Sequence, residues 1–336
     1  MLRSAMLTFR MHRFEVLLSA GLMALTAISA IVVQGHVIAA NPPDECWAQN
    51  WRFDDQGILT PASRECRRLV EAFWPVAYEA SFVTSPIAVA IPFVVGLLLG
   101  IPIVGRELEL RTATLAWSLT GSRVRWLLAR LLPMLALALV GLVVVAWLVA
   151  EMARAAHPWN YLGPGRIPNL TELGSEGPTL VGRGIMALGI GLLAGAVAGR
   201  TLPALAGAAI LCFALLFVGA PALQNVIVDR VAVWVEGSPE LGGLPTLRSL
   251  RFGFRDSDGG FLSEEEVYGE DIDPRCVGCT YEEYERWINE NLVRVEFAAP
   301  IESYPVFEAA ETALTSGIGL ACMVATVPIV VRRRPS

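Results

Sequence analysis

The sequence predicts an all-α polytopic membrane protein: six transmembrane helices, both termini cytoplasmic, and a sizeable extracytoplasmic loop domain between helices 5 and 6. Three observations predict it. The chain of 336 residues is 54% hydrophobic, with a mean hydropathy of +0.53. Six runs of roughly 18 or more mostly apolar residues match a hydrocarbon core of ~30 Å, at 14–39, 85–104, 126–150, 180–199, 202–220 and 313–331. Backbone amides must be paired within lipid, so each run is a helix. Charge, finally, segregates: Arg3, Arg10, Arg13, Arg106, Arg111, Arg123, Arg125, Arg130, Arg200, Arg332, Arg333 and Arg334 share one side with only Glu15, Glu107 and Glu109. The other fourteen arginines share the opposite side with twenty-nine acids, which together give the net charge of −6. Positive charge in short loops stays cytoplasmic, which sets the orientation.

Before the first span, "TFRMHRFE" mixes Met and Phe with Arg and His, the composition of a short helix lying in the membrane interface. The first span, about twice the length of a signal-peptide core of 7–15 residues, reads as uncleaved. An outer loop at 41–84 leads to span two, and a charged link at 105–125 to span three. A second outer loop, 151–179, precedes spans four and five, which form a tight hairpin around "GRTLPAL". Residues 221–312 are long enough for a small domain, expected to be a mixed cap with one amphipathic helix near 281–292, where Tyr281, Tyr284, Trp287 and Leu292 recur at helical spacing. Span six and a basic tail, 313–336, end the chain.

Cysteine placement is informative. Cys46, Cys66, Cys276 and Cys279 all fall on the outer side, where disulfides persist. Cys46 is expected to pair with Cys66 across the first loop, and Cys276 with Cys279 in "CVGC" to close a structural turn. CxxC also occurs in redox and zinc sites, but no βαβ pattern surrounds this one, and His12, His36 and His157 lie elsewhere. Cys212 and Cys322 fall inside spans as small packing residues. In "GIGLLAGAVAG", Gly191, Gly195 and Gly199 recur every four residues, a stripe that admits a close helix neighbour.

Several function classes are excluded or weakened. "DSDGG" breaks the ligand register of a calcium-binding EF loop, so no metal site is expected. The net acidity averages two oppositely charged faces and gives no reason to expect nucleic acid. No acid or base occupies the middle of any span, apart from Arg183 near one outer end and Glu308 and Glu311 near the other, which weakens an ion-coupled carrier. All 26 cationic residues are arginine, so a GxxxxGK[ST] phosphate loop cannot exist here. The chain is expected to bind no cofactor and to be no enzyme; ATP and Mg, if used, belong to a partner.

The link "GRELELRTATLAWSLTGSRVRW" places Leu108, Ala113, Ala116 and Leu119 among charges. It can form a short surface helix that offers a face to a soluble partner, with Gly121-Ser122 as a turn before Trp126 anchors span three. On these grounds alone a plain positive-inside connector is equally supported.

The stretch "RELELRTATLAW…SRVRWLLAR" resembles the signature of ABC-2-type transporter permease subunits, in particular their actinobacterial-type members. So do "TFRMHRFE", the first outer loop with its two cysteines, "GRTLPAL" and the lead-in "SYPVFEAAE" to span six. The resemblance runs along essentially the whole chain, most specific at the link and least in the outer domain. It implies a permease subunit of an ATP-binding cassette exporter in the cytoplasmic membrane, driven by a separate nucleotide-binding subunit and paired with a second permease. It assigns coupling to Glu107, Leu108, Glu109, Arg111, Thr112, Ala113 and Thr114, and the return to the membrane to Arg123, Arg125 and Trp126. The substrate would be amphipathic or hydrophobic. The alternative from another class is a membrane-anchored sensor or assembly protein whose outer domain binds a partner without transport.

The orientation is open to test by labelling. Cysteines introduced at Ser122 and Ser336 should react with an impermeant thiol reagent only after permeabilisation, and one at Ser257 in intact cells. Reaction at Ser122 in intact cells would overturn the arrangement.

Overall fold

Six helices are long and apolar enough to cross a membrane in the computed structural model, which describes residues 9–47, 51–53, 59–61, 63–113, 117, 122–156, 177–236, 246–256, 259–263, 266–267 and 280–333. Thr114, Cys276 and Cys279 lie outside the described residues. Five of the helices contain an expected span and overrun it; the fourth, Gly177–Ala198, starts before its expected span of 180–199 and stops one residue short of its end. Helix α1 is Arg13–Ala40, closed by Asn41 ahead of Pro42 and Pro43, which cannot continue it. A four-residue helix, α2 (Asp44–Trp47), and a two-stranded hairpin of β1 (Trp51–Phe53) and β2 (Leu59–Pro61) follow. Helix α3 is Arg64–Glu109, α4 is Arg123–Ala156, and α5 is Gly177–Ala198. The fifth span joins α6 (Thr201–Ala214), a π-helical segment (Leu215–Gly219) and α7 (Ala220–Val231). The sixth, α9, is Tyr304–Arg332.

Helix α3 departs furthest from the expected boundaries. Its 46 residues would measure ~69 Å if straight, more than twice the hydrocarbon core. Hydropathy found only the uncharged half, because Arg64 to Thr84 is amphipathic and carries its charges on the exposed face. Pro75, Pro86, Pro92 and Pro102 lie within it, each removing a backbone donor and inviting a bend. The helix also continues through Gly105 to Glu109, so Glu107, Leu108 and Glu109 are its last turn and not part of a separate link helix.

The chain falls into two compact units, one of residues 1–166, 172–220 and 308–336, the other of 167–171 and 221–307. In the first, α3 and α5 make the most extensive helix contact. Within lipid, association rests on van der Waals packing, which small residues allow at close range. A Cβ on Gly96 would lie 2.6 Å from Ala187 Cβ, and one on Gly195 2.7 Å from the Ile101 carbonyl oxygen. Gly191 faces Ile101 as well. Gly199 serves differently: with φ at +62° it is the left-handed residue after α5. On the other face of α5, Gly189 and Gly319 of α9 meet backbone to backbone. At the end of the unit where α1 finishes, Val37, Trp47, Val70, Phe73 and Ala77 form a separate apolar cluster, with Trp47 edge-on to Phe73 at 5.5 Å. Beside it Cys46 and Cys66 form a disulfide, their Cα atoms 5.1 Å apart.

The second unit makes the chain mostly helical rather than all-α. Strands β3 (Val233–Glu236), β4 (Thr246–Arg255), β5 (Phe261–Ser263) and β6 (Val293–Pro300) form an antiparallel sheet in the order β3-β6-β4-β5. The amphipathic helix is α8, Tyr281–Asn291, started by a reciprocal pair in which Thr280 and Glu283 bond each other's backbone amides. Those amide and hydroxyl bonds hold the Glu283 carboxyl below its usual range. Tyr284, Ile288 and Leu292 pack with Phe254 and Val267, and the Tyr284 hydroxyl donates to the Val267 carbonyl at 2.5 Å.

Glycine positions separate two kinds of substitution. Gly189→Ala should lower the thermal unfolding midpoint in detergent, by an overpacking cost of ~1–3 kcal/mol. Gly207→Ala, where an added Cβ meets nothing within 4 Å, should raise it, alanine being favoured in a helix by ~1 kcal/mol. Equal midpoints would remove the close-packing account of α5 and α9.

Candidate functional site

The arginine-rich end of the bundle gathers the residues that the sequence singled out. It starts with how α3 stops. The Thr112 amide donates to the Glu107 carbonyl at 3.0 Å and the Arg111 amide to the Leu108 carbonyl at 3.2 Å, the two bonds of a Schellman motif. That motif needs a left-handed residue, usually glycine. Here it is Arg111, with φ at +59°, a conformation that costs an L-residue about 1–2 kcal/mol.

Around this stop, ion pairs and caps tie the link to the other membrane helices. Glu107 is 3% exposed and pairs with Arg130 of α4. Arg106 donates to Glu15 of α1 at 2.6 Å. Glu109 accepts from the Thr201 amide at 3.0 Å and its hydroxyl at 2.6 Å, so a carboxylate from α3 caps the positive end of α6. The residue at that helix's own cap position, Arg200, makes no side-chain cap bond. Arg123 donates to the carbonyls of Val330, Val331 and Arg333 at the end of α9, at 3.2, 2.9 and 2.7 Å. Arg333 in turn donates to the Ala196 carbonyl of α5. All three acids that the sequence placed on this side are therefore engaged.

Aromatic rings fill the space between. The Arg123 guanidinium lies 4.4 Å from the Trp117 ring centre and that of Arg130 4.9 Å from Trp126, while the two indoles meet at right angles, 5.9 Å apart. A guanidinium over an indole face is attracted by the ring quadrupole. His12, buried just before α1, has its pKa pushed down to about 4, mainly by burial and further by Arg130 and Arg106 against the pull of Glu15. It is neutral at physiological pH.

The coupling residues expected from the resemblance divide by exposure. Glu107, Ala113 and Trp126 are buried, and Leu108, half-buried, packs on the core. Glu109, Arg111, Thr112 and Arg125 are exposed, and Arg123 is half-buried. Sequence reasoning missed Leu110, 61% exposed beside Arg111. It also missed the long-range partners Arg130, Thr201 and Arg333, which only folding brings near. Among the described residues no group of three or more His, Cys, Asp or Glu could hold a metal ion.

The buried pair makes a specific prediction. Glu107→Ala or Arg130→Ala alone should destabilise the detergent-solubilised protein by ~3–5 kcal/mol, because each strands a buried charge. Replacing both by leucine should cost far less than the two single losses added together, as read by thermal unfolding. Additive losses would mean that the two side chains do not interact.

A family model described as ABC-2 membrane transporter related matches residues 18–223. The match begins in the second turn of α1 and ends in α7. It spans the first five membrane helices, the disulfide and the whole link. Comparison with curated proteins and with solved structures gives no match. With more than half its length matched, and with the bonded link inside the matched stretch, the chain belongs to the ABC-2 membrane transporter related family.

Proposed function

We propose that this chain is the permease subunit of an ATP-binding cassette exporter in the cytoplasmic membrane, and that a separate nucleotide-binding subunit docks on the link beyond α3. One observation carries this reading. Arg111 stands in a left-handed position that glycine would fill at lower cost, beside an exposed leucine, at the point where bonds to the other membrane helices converge. Strain kept at one exposed site, against the stability of the fold, points to a use for the side chain there. Leu110, Arg111, Thr112 and Arg125 form the docking face; Glu107, Ala113 and Trp126 hold it in place. ATP and Mg reside on the partner, since this chain has no lysine for a phosphate loop. A second permease completes the transporter, and the cargo is amphipathic or hydrophobic.

Arg111→Gly separates docking from folding. It should leave the unfolding midpoint unchanged or raise it, while cutting recovery of the co-expressed ATPase subunit on tagged permease by tenfold or more, the scale of an interface residue worth ~2 kcal/mol. Leu110→Asp should cut it similarly. Undiminished recovery with both variants would sink the docking face and favour a membrane-anchored protein without transport.

A further inference from the structure

Among the described residues Arg123 joins the link to α9, and α9 meets α5 at several points between Glu311 and Arg333. Arg123 sets its guanidinium on three carbonyls at the end of α9, where a helix has unpaired acceptors and a partial negative charge. Arg333, one residue beyond α9, closes onto the Ala196 carbonyl. At mid-length Gly189 and Gly319 touch backbone to backbone, and Gly182 lies against Thr315. At the far end Arg183 of α5 donates through Nε to Glu311 of α9 at 2.8 Å and through a second nitrogen to the same oxygen. Both side chains are buried, and the hydroxyls of Thr179 and Thr312 meet at 3.2 Å. Helices α5 and α9 are thus held to each other at both ends and in the middle.

We propose that Arg123 makes α9 the output element of the link, carrying a displacement at the arginine-rich end to the Arg183–Glu311 end. Arg123 is here a positioning residue. The proposal takes from the docking reading only that force arrives at the link; energetic coupling between the two ends of α9 exists with or without a partner. A rigid element that both sites bias carries such coupling, and the coupling is reciprocal.

Hydrogen–deuterium exchange on the full chain in lipid nanodiscs, with no ATPase present, tests it. Arg123→Gln should speed amide exchange about fivefold or more, both near Val330 and at Thr312 to Thr315 and Thr179 to Arg183. Arg183→Gln should do the reverse, loosening its own end and the end of α9 near Val330. Arg10→Gln, at an exposed position, should change neither. Effects confined to the mutated end in either variant overturn the proposal, and should Arg123→Gln fail to fold, Arg183→Gln alone decides. Undiminished ATPase recovery in the docking variants would count against the docking face and leave this result standing.

Discussion

An arginine cannot shed its proton to enter a low-dielectric interior, so every guanidinium that leaves water must be met by a carboxylate, a carbonyl or an aromatic face. The arginine-rich end of this bundle is organised by that requirement. Arg130 is buried among apolar residues because Glu107 is there to meet it, and Glu107 is there because α3 runs a full turn past its apolar span. The same turn delivers Arg106 to Glu15 and Glu109 to the start of α6. Positive charge on this side, which topology alone would explain, has thus been put to structural use: it ties helix ends together where lipid offers no hydrophobic force to do so.

Closeness between helices along the rest of their length is the task of glycine. Gly96, Gly100, Gly105, Gly191 and Gly195 line the contact between α3 and α5, and Gly189 and Gly319 that between α5 and α9. Leucine-sized side chains there would cover the helices in the same apolar surface that lipid offers, with no preference for one neighbour over another. Absence of side chains gives α5 a specific partner on each face. Helix α6, by contrast, is the core of the least buried span, and Gly207 on it touches nothing.

Much of the fold could be read from the residues, and the failures have physical reasons. Uncharged apolar runs located all six membrane helices because nothing else satisfies eighteen such residues. The second span was drawn too short at both ends because hydropathy sees composition and not backbone continuity: Arg64 to Thr84 is helical but charged. The same limit hid the direction of Glu107. Had α3 been continued past Val104, Glu107 would have fallen one turn beyond Ile103, fully buried, on the inward face. Arg111 gave no signal, since a left-handed stop announces itself only when it is glycine. The pairs Glu107–Arg130 and Arg183–Glu311 join residues far apart in sequence and could not be matched from one chain. Alternation in "RVEFAAP" and "LRFGFR" did carry the strands, which a mixed outer domain anticipated without placing them.

The disulfide lies beyond the last turn of α1, whose first turn holds Glu15 against Arg106; one helix therefore has a thiol chemistry at one end and a charge chemistry at the other. Cysteines oxidise in one compartment and stay reduced in the next. In the orientation that the arginines predict, the bond between Cys46 and Cys66 would be a written receipt of insertion. A chain threaded through the bilayer the other way round would carry two free thiols on its reducing side, and a cell that sorts proteins by exposed thiols could tell the two apart.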